Sequence, residues 1–482
     1  MRKRFDSKFM YIIASIILPV IFFFTSSLQY EPKITLSIMI FCLILWISEI
    51  APLSVVGLLG VVLTVIFGVN DIKNAFSGFS NPVILLMIGS FILANAINKY
   101  GLDKRISLYL LSVDIFSKSP FTMFVGLTLI TFLLSMWLSN TATTAMMLPI
   151  AIGILSLIKE ESHGYRTFAS MFLLAIAYSA SLGGVGTLIG SPTNLVGVGF
   201  LKEAGKDITF LEWSIFSLPI ALSAFFALIL YVKYKIRNFS SNISTQMLKS
   251  IINSEKAKLP KITFSEKVVG LIFGLTVILW ILPSLLSILG YRELSKIFLN
   301  IMPESYVAIF TASLLFLIPQ NSQTFKPILS GEDLKSIDWD TVLLFASGLS
   351  LGKVIENSGL GKIIGDIFSR YFQDVNILIF FIALIFFIIV ATEIISNTAT
   401  AITFIPIVIH SLQAVNVDIT YPVMATIIAA SFAFVLPIST PPNAIVYGTK
   451  LIPIKTMIKT GIILDIIGGV IIFIFLNLFR GG

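Results

Sequence analysis

The sequence Ser139-Asn140-Thr141-Ala142 recurs as Ser396-Asn397-Thr398-Ala399, and each copy lies between two long apolar runs. A second cluster of turn-forming residues follows each copy. These clusters are Gly190-Ser191-Pro192-Thr193-Asn194 and Ser439-Thr440-Pro441-Pro442-Asn443. Polar, helix-breaking clusters at corresponding places in two apolar halves are typical of a binding site at the midplane of a repeat-built membrane protein. The sequence therefore predicts one ligand site built from two related halves.

The composition predicts a membrane protein. Hydrophobic residues make up 56% of the 482 residues, charged residues only 12%, and the mean hydropathy is +0.97. A soluble domain carries roughly 25% charged residues. The one cysteine, Cys42, excludes an intrachain disulfide, and with two histidines it leaves little for a transition-metal site. The net charge of +8 does not indicate a nucleic-acid partner, because the basic residues lie in loops between apolar runs.

Apolar runs of about 17–25 residues are long enough to cross a bilayer as helices. We expect an all-α polytopic membrane protein with eleven such spans, near 9–28, 33–49, 53–70, 82–99, 166–200, 213–234, 266–289, 303–320, 340–357, 420–448 and 458–479. Two more apolar stretches, about 120–158 and 375–412, are too long for one span, and a Ser-Asn-Thr motif interrupts each. We interpret both as re-entrant hairpins, whose irregular tips need protein or an aqueous cavity around them.

The distribution of basic residues predicts the orientation. With the N-terminus in the cytoplasm, 23 of the 33 lysines and arginines fall on the cytoplasmic side, as the positive-inside rule requires. The C-terminus is then external. The first run follows basic residues, as in a cleaved signal peptide, but it is long for that role and no convincing cleavage site follows. We therefore expect a retained span in a multi-pass protein of the cell (inner or plasma) membrane.

The chain divides into an N-terminal span at 1–32, a first repeat at 33–234, a polar and basic cytoplasmic linker at 235–265, and a second repeat at 266–482. Five spans and one hairpin in each repeat give the two repeats opposite orientations. The first hairpin then opens to the cytoplasm and the second to the outside.

A hairpin tip offers ligands for two kinds of ion. Ser, Asn and Thr are favoured helix N-caps, and a helix beginning there presents free N–H groups to an anion. The helix ending there presents free carbonyls, which suit a hard cation such as Na⁺. Pro192 and Pro441 should break their helices and free further carbonyls. No Lys or Arg lies in these clusters, so an anion bound there has no fixed positive charge beside it. Cations that bind next to the anion should therefore raise the affinity of the site for the anion.

At these residues the chain resembles the divalent anion/sodium symporter family, which includes di- and tricarboxylate transporters. Both Ser-Asn-Thr-Ala-Thr copies and the stretch Ser431–Val446 match its motifs. The resemblance implies a homodimer in which a transport domain carrying both hairpins slides against a scaffold, the elevator mechanism. It also implies Na⁺ as the co-transported ion.

The resemblance also implies roles for individual residues. One sodium site should involve Ser135, Ser139, Asn140 and Gly190, and the other Thr392, Ile395, Asn397 and Ser439. The substrate should meet Ser139, Asn140, Thr141, Ser191 and Pro192 in the first repeat, and Ser396, Asn397, Thr398, Thr440 and Pro441 in the second. The family has Ala more often at positions 395 and 439. These contacts are expected through backbone carbonyls, so both sites remain plausible.

The expected function is sodium-coupled import of a C4-dicarboxylate such as succinate, fumarate or malate, by a protein that is not an enzyme. Sodium-independent exchange of dicarboxylates, for example 2-oxoglutarate against malate, and sodium:sulfate symport are alternatives. The partners are then the dicarboxylate, sodium ions, membrane lipids and a second copy. Glu393, beside the second motif, is an ionisable residue at membrane depth. It is a functional candidate or a structural partner of a neighbouring helix.

Overall fold

The structure is a computed structural model that describes residues 2–158, 162–239, 245–321, 326–372 and 376–480. These residues form helices and connecting segments. Their only β-type pairing is an isolated bridge between Pro319 and Pro327. The expectation of an all-helical protein is confirmed. A chain that crosses a bilayer satisfies its backbone hydrogen-bonding groups within helices.

The first half contains the N-terminal helix and the helices of the first repeat. Their bounds are α1 Arg2–Thr25, α2 Tyr30–Ser48, α3 Leu53–Ile66, α4 Ile72–Ala75, α5 Pro82–Lys99, α6 Leu102–Leu111, α7 Pro120–Ser135, α8 Asn140–Leu155, α9 Tyr165–Val185, α10 Pro192–Glu203 and α11 Phe210–Lys235. A 3-10 helix at Ser77–Ser80 precedes α5.

The second half begins with a helix in the expected linker, α12 Thr245–Ala257. The helices of the second repeat are α13 Phe264–Ile288, α14 Arg292–Ile301, α15 Glu304–Leu317, α16 Trp339–Asn357, α17 Leu360–Phe372, α18 Ile377–Ile394, α19 Asn397–Ala414, α20 Thr420–Ala429, α21 Pro441–Tyr447 and α22 Ile454–Arg480. A 3-10 helix at Gly331–Ser336 precedes α16. The Ser240-Ser241-Asn242 stretch of the linker lies outside the described residues.

Two expected spans are not continuous helices. The run at 166–200 is divided into α9 and α10 by residues 186–191, here named break 1. The run at 420–448 is divided into α20 and α21 by residues 430–440, named break 2. Proline occupies the first turn of α10 and of α21, where its missing N–H costs nothing, and it cannot continue a helix from the preceding segment.

Fewer than eleven of the described helices are long enough to cross a membrane without a break. Seven described helices are long and apolar enough to cross a membrane, or eight if α14 and α15, bent by 55°, form one span. These seven are α2, α5, α9, α11, α13, α18 and α22. The chain is thus a multi-pass membrane protein. The exact figure of eleven spans stays a prediction, because helices such as α3 and α20 are shorter than a full crossing.

The two long apolar stretches each form a pair of helices. Residues 136–139 separate α7 from α8, and residues 395–396 separate α18 from α19. We name these segments tip 1 and tip 2. The two helices of each pair contact each other, as hairpin arms do. The chain therefore breaks at both Ser-Asn-Thr motifs, while re-entry into the membrane on the same side stays a prediction.

The helices contact one another mainly within two groups. Group A contains α1–α5 and α13–α16, and group B contains α7–α11 and α18–α22. Helix α9 lies at the centre of group B, and its apolar stretch is fully buried. Helices α6 and α17 contact helices of both groups, whereas α12 contacts α6 and α8. Both tips and both breaks therefore belong to group B.

In the described part of the chain, one ion pair joins group A to group B. Glu203, the last residue of α10, contacts Lys353 of α16 at 2.9 Å. Its other carboxylate oxygen accepts a hydrogen bond from the Asn81 amide at 2.6 Å, and Asn81 caps α5. Lys353 lies near the C-terminal end of α16. Its partner lies 150 residues away in the chain, so no local pattern could have identified it.

Candidate functional site

The two tips have the same local geometry. Ser139 caps α8, with its hydroxyl accepting a hydrogen bond from the Ala142 N–H at 3.2 Å. Ser396 caps α19 in the same way, accepting from the Ala399 N–H at 3.3 Å. The N-cap prediction is confirmed at both motifs. One donor of each new helix is thereby satisfied, and the other first-turn N–H groups remain available to a ligand.

A hydroxyl one turn before each tip holds the motif asparagine. The Ser135 hydroxyl donates to Asn140 Oδ1 at 2.7 Å. The Thr392 hydroxyl lies 2.9 Å from Asn397 Oδ1 and 2.7 Å from the Ala430 carbonyl oxygen in break 2. Each asparagine is thus oriented by the same type of contact, and its N–H₂ group is left to bind something else.

The two breaks are folded around a second pair of asparagines. The Asn194 amide donates to the carbonyls of Gly184 and Thr187, both at 2.8 Å. The Asn443 amide donates to those of Ala433 at 3.0 Å and Leu436 at 3.1 Å. In both cases the acceptors lie ten and seven residues before the asparagine. The internal repeat therefore extends to individual hydrogen bonds.

Asn194 and Asn443 belong to the two turn-forming clusters, but the sequence analysis predicted no role for either residue. A usable signal existed, since each lies two residues after a helix-starting proline, Pro192 or Pro441. Their amides replace the helical donors that the breaks remove, as buried carbonyls require. The carbonyl of Val185 receives the Trp213 indole N–H at 3.1 Å.

Break 1 lies directly against tip 1. The Thr187 hydroxyl donates to the Met136 carbonyl. A Cβ built on Gly184 would lie 2.3 Å from Asn140 Oδ1, and one built on Gly190 would lie 3.0 Å from the Met136 carbonyl oxygen. Only glycine permits this approach. The structure thus brings Ser135, Asn140 and the Gly184–Gly190 segment together. That these residues bind sodium stays a prediction.

The Glu393 carboxylate, beside tip 2, accepts hydrogen bonds from break 2. Glu393 Oε1 accepts from the Val435 N–H at 2.8 Å, and Oε2 accepts from the Leu436 N–H at 3.2 Å. The Ser439 hydroxyl lies 2.5 Å from Oε2 and 3.2 Å from the Glu393 carbonyl oxygen. The expected second-site residues Thr392, Asn397 and Ser439 are therefore joined through α18, and Ile395 forms tip 2 itself.

The expected substrate and sodium residues differ in burial. Most expected substrate residues are partly or fully exposed: Ser139, Asn140, Thr141, Pro192, Ser396, Asn397, Thr398 and Pro441. The residues expected to bind sodium alone are buried: Ser135, Gly190, Thr392, Ile395 and Ser439. Two expected substrate residues, Ser191 and Thr440, are also buried. Thr440 uses its hydroxyl to cap α21, accepting from the Asn443 N–H at 3.4 Å.

Helices from the two repeats pack crosswise around this region. From the first repeat, α10 contacts α19 and α20, and from the second repeat, α21 contacts α8 and α9. Each broken helix therefore packs against the hairpin of the other repeat.

Several buried oxygen atoms near the tips are suited to binding hard cations. Asn194 Oδ1, Asn443 Oδ1 and the hydroxyls of Thr143 and Thr400 are buried and have no hydrogen-bond partner in the described part of the chain. Thr143 and Thr400 each follow a motif asparagine by three residues. Hydroxyl, amide and carbonyl oxygens without donors are the ligands that a hard cation takes. Thr143 matches Thr400 in position within the repeats, and Asn194 matches Asn443.

Comparison with known proteins gives the class. Residues 6–480 match the family model described as the sodium:sulfate symporter transmembrane region, and the chain belongs to this family. The resemblance to sodium-coupled anion symporters is thereby confirmed. Its relatives are named as transporters, so the chain is a transporter and not an enzyme.

Individual relatives cover nearly the whole chain. The sodium-dependent dicarboxylate transporter SdcS of Staphylococcus saprophyticus is 32% identical over 465 residues, which is 95% of this chain and 88% of that protein. An uncharacterized transporter of Haemophilus influenzae is 34% identical over 466 residues, covering 95% and 94%. The family and the staphylococcal relative fit a sodium-coupled transporter.

Solved structures support the fold alone. Neisseria gonorrhoeae MtrF, described among antimetabolite efflux pumps, superposes with a TM-score of 0.55 at 14% identity, covering 94% of this chain and 95% of that one. The Alcanivorax borkumensis YdaH transporter gives 0.52 at 13% identity, covering 94% and 98%. Both are transporters with a similar helical architecture.

Proposed function

We propose that this protein imports C4-dicarboxylates such as succinate, fumarate or malate together with sodium ions. The observation that carries the proposal is the paired geometry of the tips. Each has an asparagine whose Oδ1 is held by a buried hydroxyl, beside a helix N-terminus that is open to a ligand. Each tip can therefore hold one carboxylate and one sodium ion, and two tips suit a substrate with two carboxylates.

Sulfate is the second candidate because the family's description names it. A single compact anion needs only one helix N-terminus, whereas this chain presents partly exposed residues at both tips. The name of the staphylococcal relative also indicates a dicarboxylate. These observations favour the dicarboxylate.

Symport is favoured over exchange by the charge of the site. The tips and breaks contain no Lys or Arg, so two carboxylates bound there must be neutralised by cations that travel with them. A sodium-independent exchanger would need a fixed positive charge in this place.

An elevator movement within a homodimer is the mechanism that we propose. Both tips and both breaks lie in group B, whose helices contact each other more than they contact group A. Group B could therefore move as the transport domain while group A serves as the scaffold and holds the second copy. The site residues would then move without separating from one another.

Uptake into proteoliposomes tests the function. We expect labelled succinate to accumulate under an inward sodium gradient, because bound Na⁺ neutralises the site. Accumulation should stop when choline replaces all sodium. Counterflow that persists in choline would support the exchanger, and uptake of labelled sulfate without uptake of succinate would support the sulfate symporter.

The orientation is also testable. We expect Lys258→Cys to be labelled by an impermeant maleimide only from the cytoplasmic side, because most basic residues lie there under the proposed topology. Lys258 is a suitable position, since its side chain is 66% exposed at the end of the linker helix. The only native cysteine, Cys42, is buried. Labelling from outside alone would contradict the assignment of inverted repeats.

A further inference from the structure

The two repeats differ at one position beside their tips. Three residues before Ser396 the second repeat has Glu393, whereas three residues before Ser139 the first repeat has Met136. Break 1 is attached to tip 1 through a neutral contact, the Thr187 hydroxyl on the Met136 carbonyl. Break 2 is attached to tip 2 by the Glu393 carboxylate. The symmetry of the site is therefore broken by one acidic side chain.

The Glu393 side chain binds three donors of break 2. The N–H groups of Val435 and Leu436 and the hydroxyl of Ser439 all point to its carboxylate, at 2.8, 3.2 and 2.5 Å. Val435 to Ser439 is a non-helical segment that leads into α21. This one side chain therefore determines where Ser439, an expected sodium ligand, lies relative to tip 2.

Helix α22 supports the same segment from the other side. A Cβ built on Gly461 would lie 2.3 Å from the Phe434 carbonyl oxygen and 2.5 Å from Val435 Cα. One turn later the Asp465 side chain shares a hydrogen bond with Glu393 and accepts one from the Phe434 N–H. Break 2 is thus enclosed between α18 and α22, with little freedom to compensate if the Glu393 contacts are lost.

The Glu393 carboxylate has no basic partner among the described residues. Glu393 is 9% exposed and Asp465 6%, and neither takes part in a salt bridge within the described ranges. Burying a carboxylate without a cation is costly. The expected ligands of the second sodium site include Thr392 and Ile395, on either side of Glu393 in the chain. A sodium ion there would supply the missing positive charge.

We propose that Glu393 is the positioning residue of the second sodium site, holding residues 435–439 against tip 2 and supplying the negative charge that attracts the cation. The inference rests on the proposed sodium coupling and extends it, because it makes the two sodium sites unequal. The first site has no acidic residue in the corresponding position and depends on neutral oxygens alone.

Sodium-dependent thermal stabilisation of the purified protein tests this without any substrate. NaCl is titrated against choline chloride at constant ionic strength. For Glu393→Gln we expect the half-stabilising sodium concentration to rise roughly tenfold or more, since the amide removes the charge and one acceptor. Asp103→Asn is the matched control, a buried acid of α6 that accepts its hydrogen bonds from Asn98 and Lys104 and lies outside the tips and breaks. Its half-stabilising concentration should change less than about threefold.

A second variant separates position from charge and serves if Glu393→Gln does not fold. Ser439→Ala keeps the carboxylate and removes one of its three donors, so we expect a smaller rise in the half-stabilising concentration. A lower melting temperature in choline with an unchanged half-stabilising concentration, in both variants, would reduce Glu393 to a packing role and overturn the inference. If sodium fails to stabilise even the parent protein, sodium coupling itself is wrong and the inference falls with it.

Discussion

Replacing either motif asparagine by aspartate should lower succinate transport at least about tenfold, since roughly 1.4 kcal/mol is one decade of affinity. Asn140 and Asn397 accept a hydroxyl hydrogen through Oδ1 and keep their N–H₂ groups for a carboxylate. Aspartate has the same size but no donors, and it adds a negative charge facing the anion. The lost hydrogen bonds and the added repulsion should each cost on the order of 1–3 kcal/mol.

The measurement compares succinate uptake with sodium-induced thermal stabilisation for Asn140→Asp and Asn397→Asp. Sodium binding should survive or tighten, because the carboxylate still offers oxygen to a cation. This split separates loss of the anion site from misfolding, which would abolish both signals. If both variants carry succinate at the parent rate, the two motifs serve only helix packing and the assigned site is wrong.

Substitution of Gly184 by alanine should also reduce succinate uptake at least about tenfold. A Cβ there would lie 2.3 Å from Asn140 Oδ1 and 2.8 Å from Nδ2, so the amide must move away from Ser135. Because a side-chain amide can move while the backbone stays in place, the fold should persist. Sodium should then stabilise the purified protein less, since Asn140 is an expected ligand of the first site.

Two other glycine substitutions serve as controls for Gly184→Ala. At Gly183 a Cβ would lie 2.1 Å from the Phe132 carbonyl oxygen, which cannot move freely, so Gly183→Ala should lower protein yield and melting temperature. At Gly274 a Cβ would meet nothing within 4 Å, so Gly274→Ala should leave uptake unchanged. Parent-level uptake by Gly184→Ala would show that the Asn140 amide is not part of the transport site.

The sequence predicted the tips well because their signals are local. Ser-Asn-Thr after an apolar run predicts a helix end and an N-cap, and the helices α8 and α19 begin at Asn140 and Asn397. The prolines at 192 and 441 likewise predicted where α10 and α21 begin. Such patterns depend on the conformations that a few consecutive residues favour, so one chain is enough to read them.

The start of break 2 could not be predicted in this way. Residues 430–436 contain no proline or glycine and only one polar residue, Ser431, yet the chain leaves the helix at Ala430. Its backbone groups are satisfied by distant side chains instead: Tyr178 donates to the Phe434 carbonyl at 2.8 Å, and Glu393 accepts from Val435. Tertiary hydrogen bonds here outweigh the local preference for helix, and one sequence does not show them.

Helix α10 begins beside the tips at Pro192 and ends at Glu203, where the carboxylate is bound to Asn81 and Lys353 of group A. Twelve helical residues form a stiff rod of about 18 Å. Any shift of the ligand-bearing end along the bilayer normal must therefore be transmitted to the far end, and Glu203 must release both partners before the rod can travel. The contacts of Glu203 with Asn81 and Lys353 would therefore affect the height of the kinetic barrier to this movement, and hence the turnover number. They would leave the affinity for the ligand unaltered.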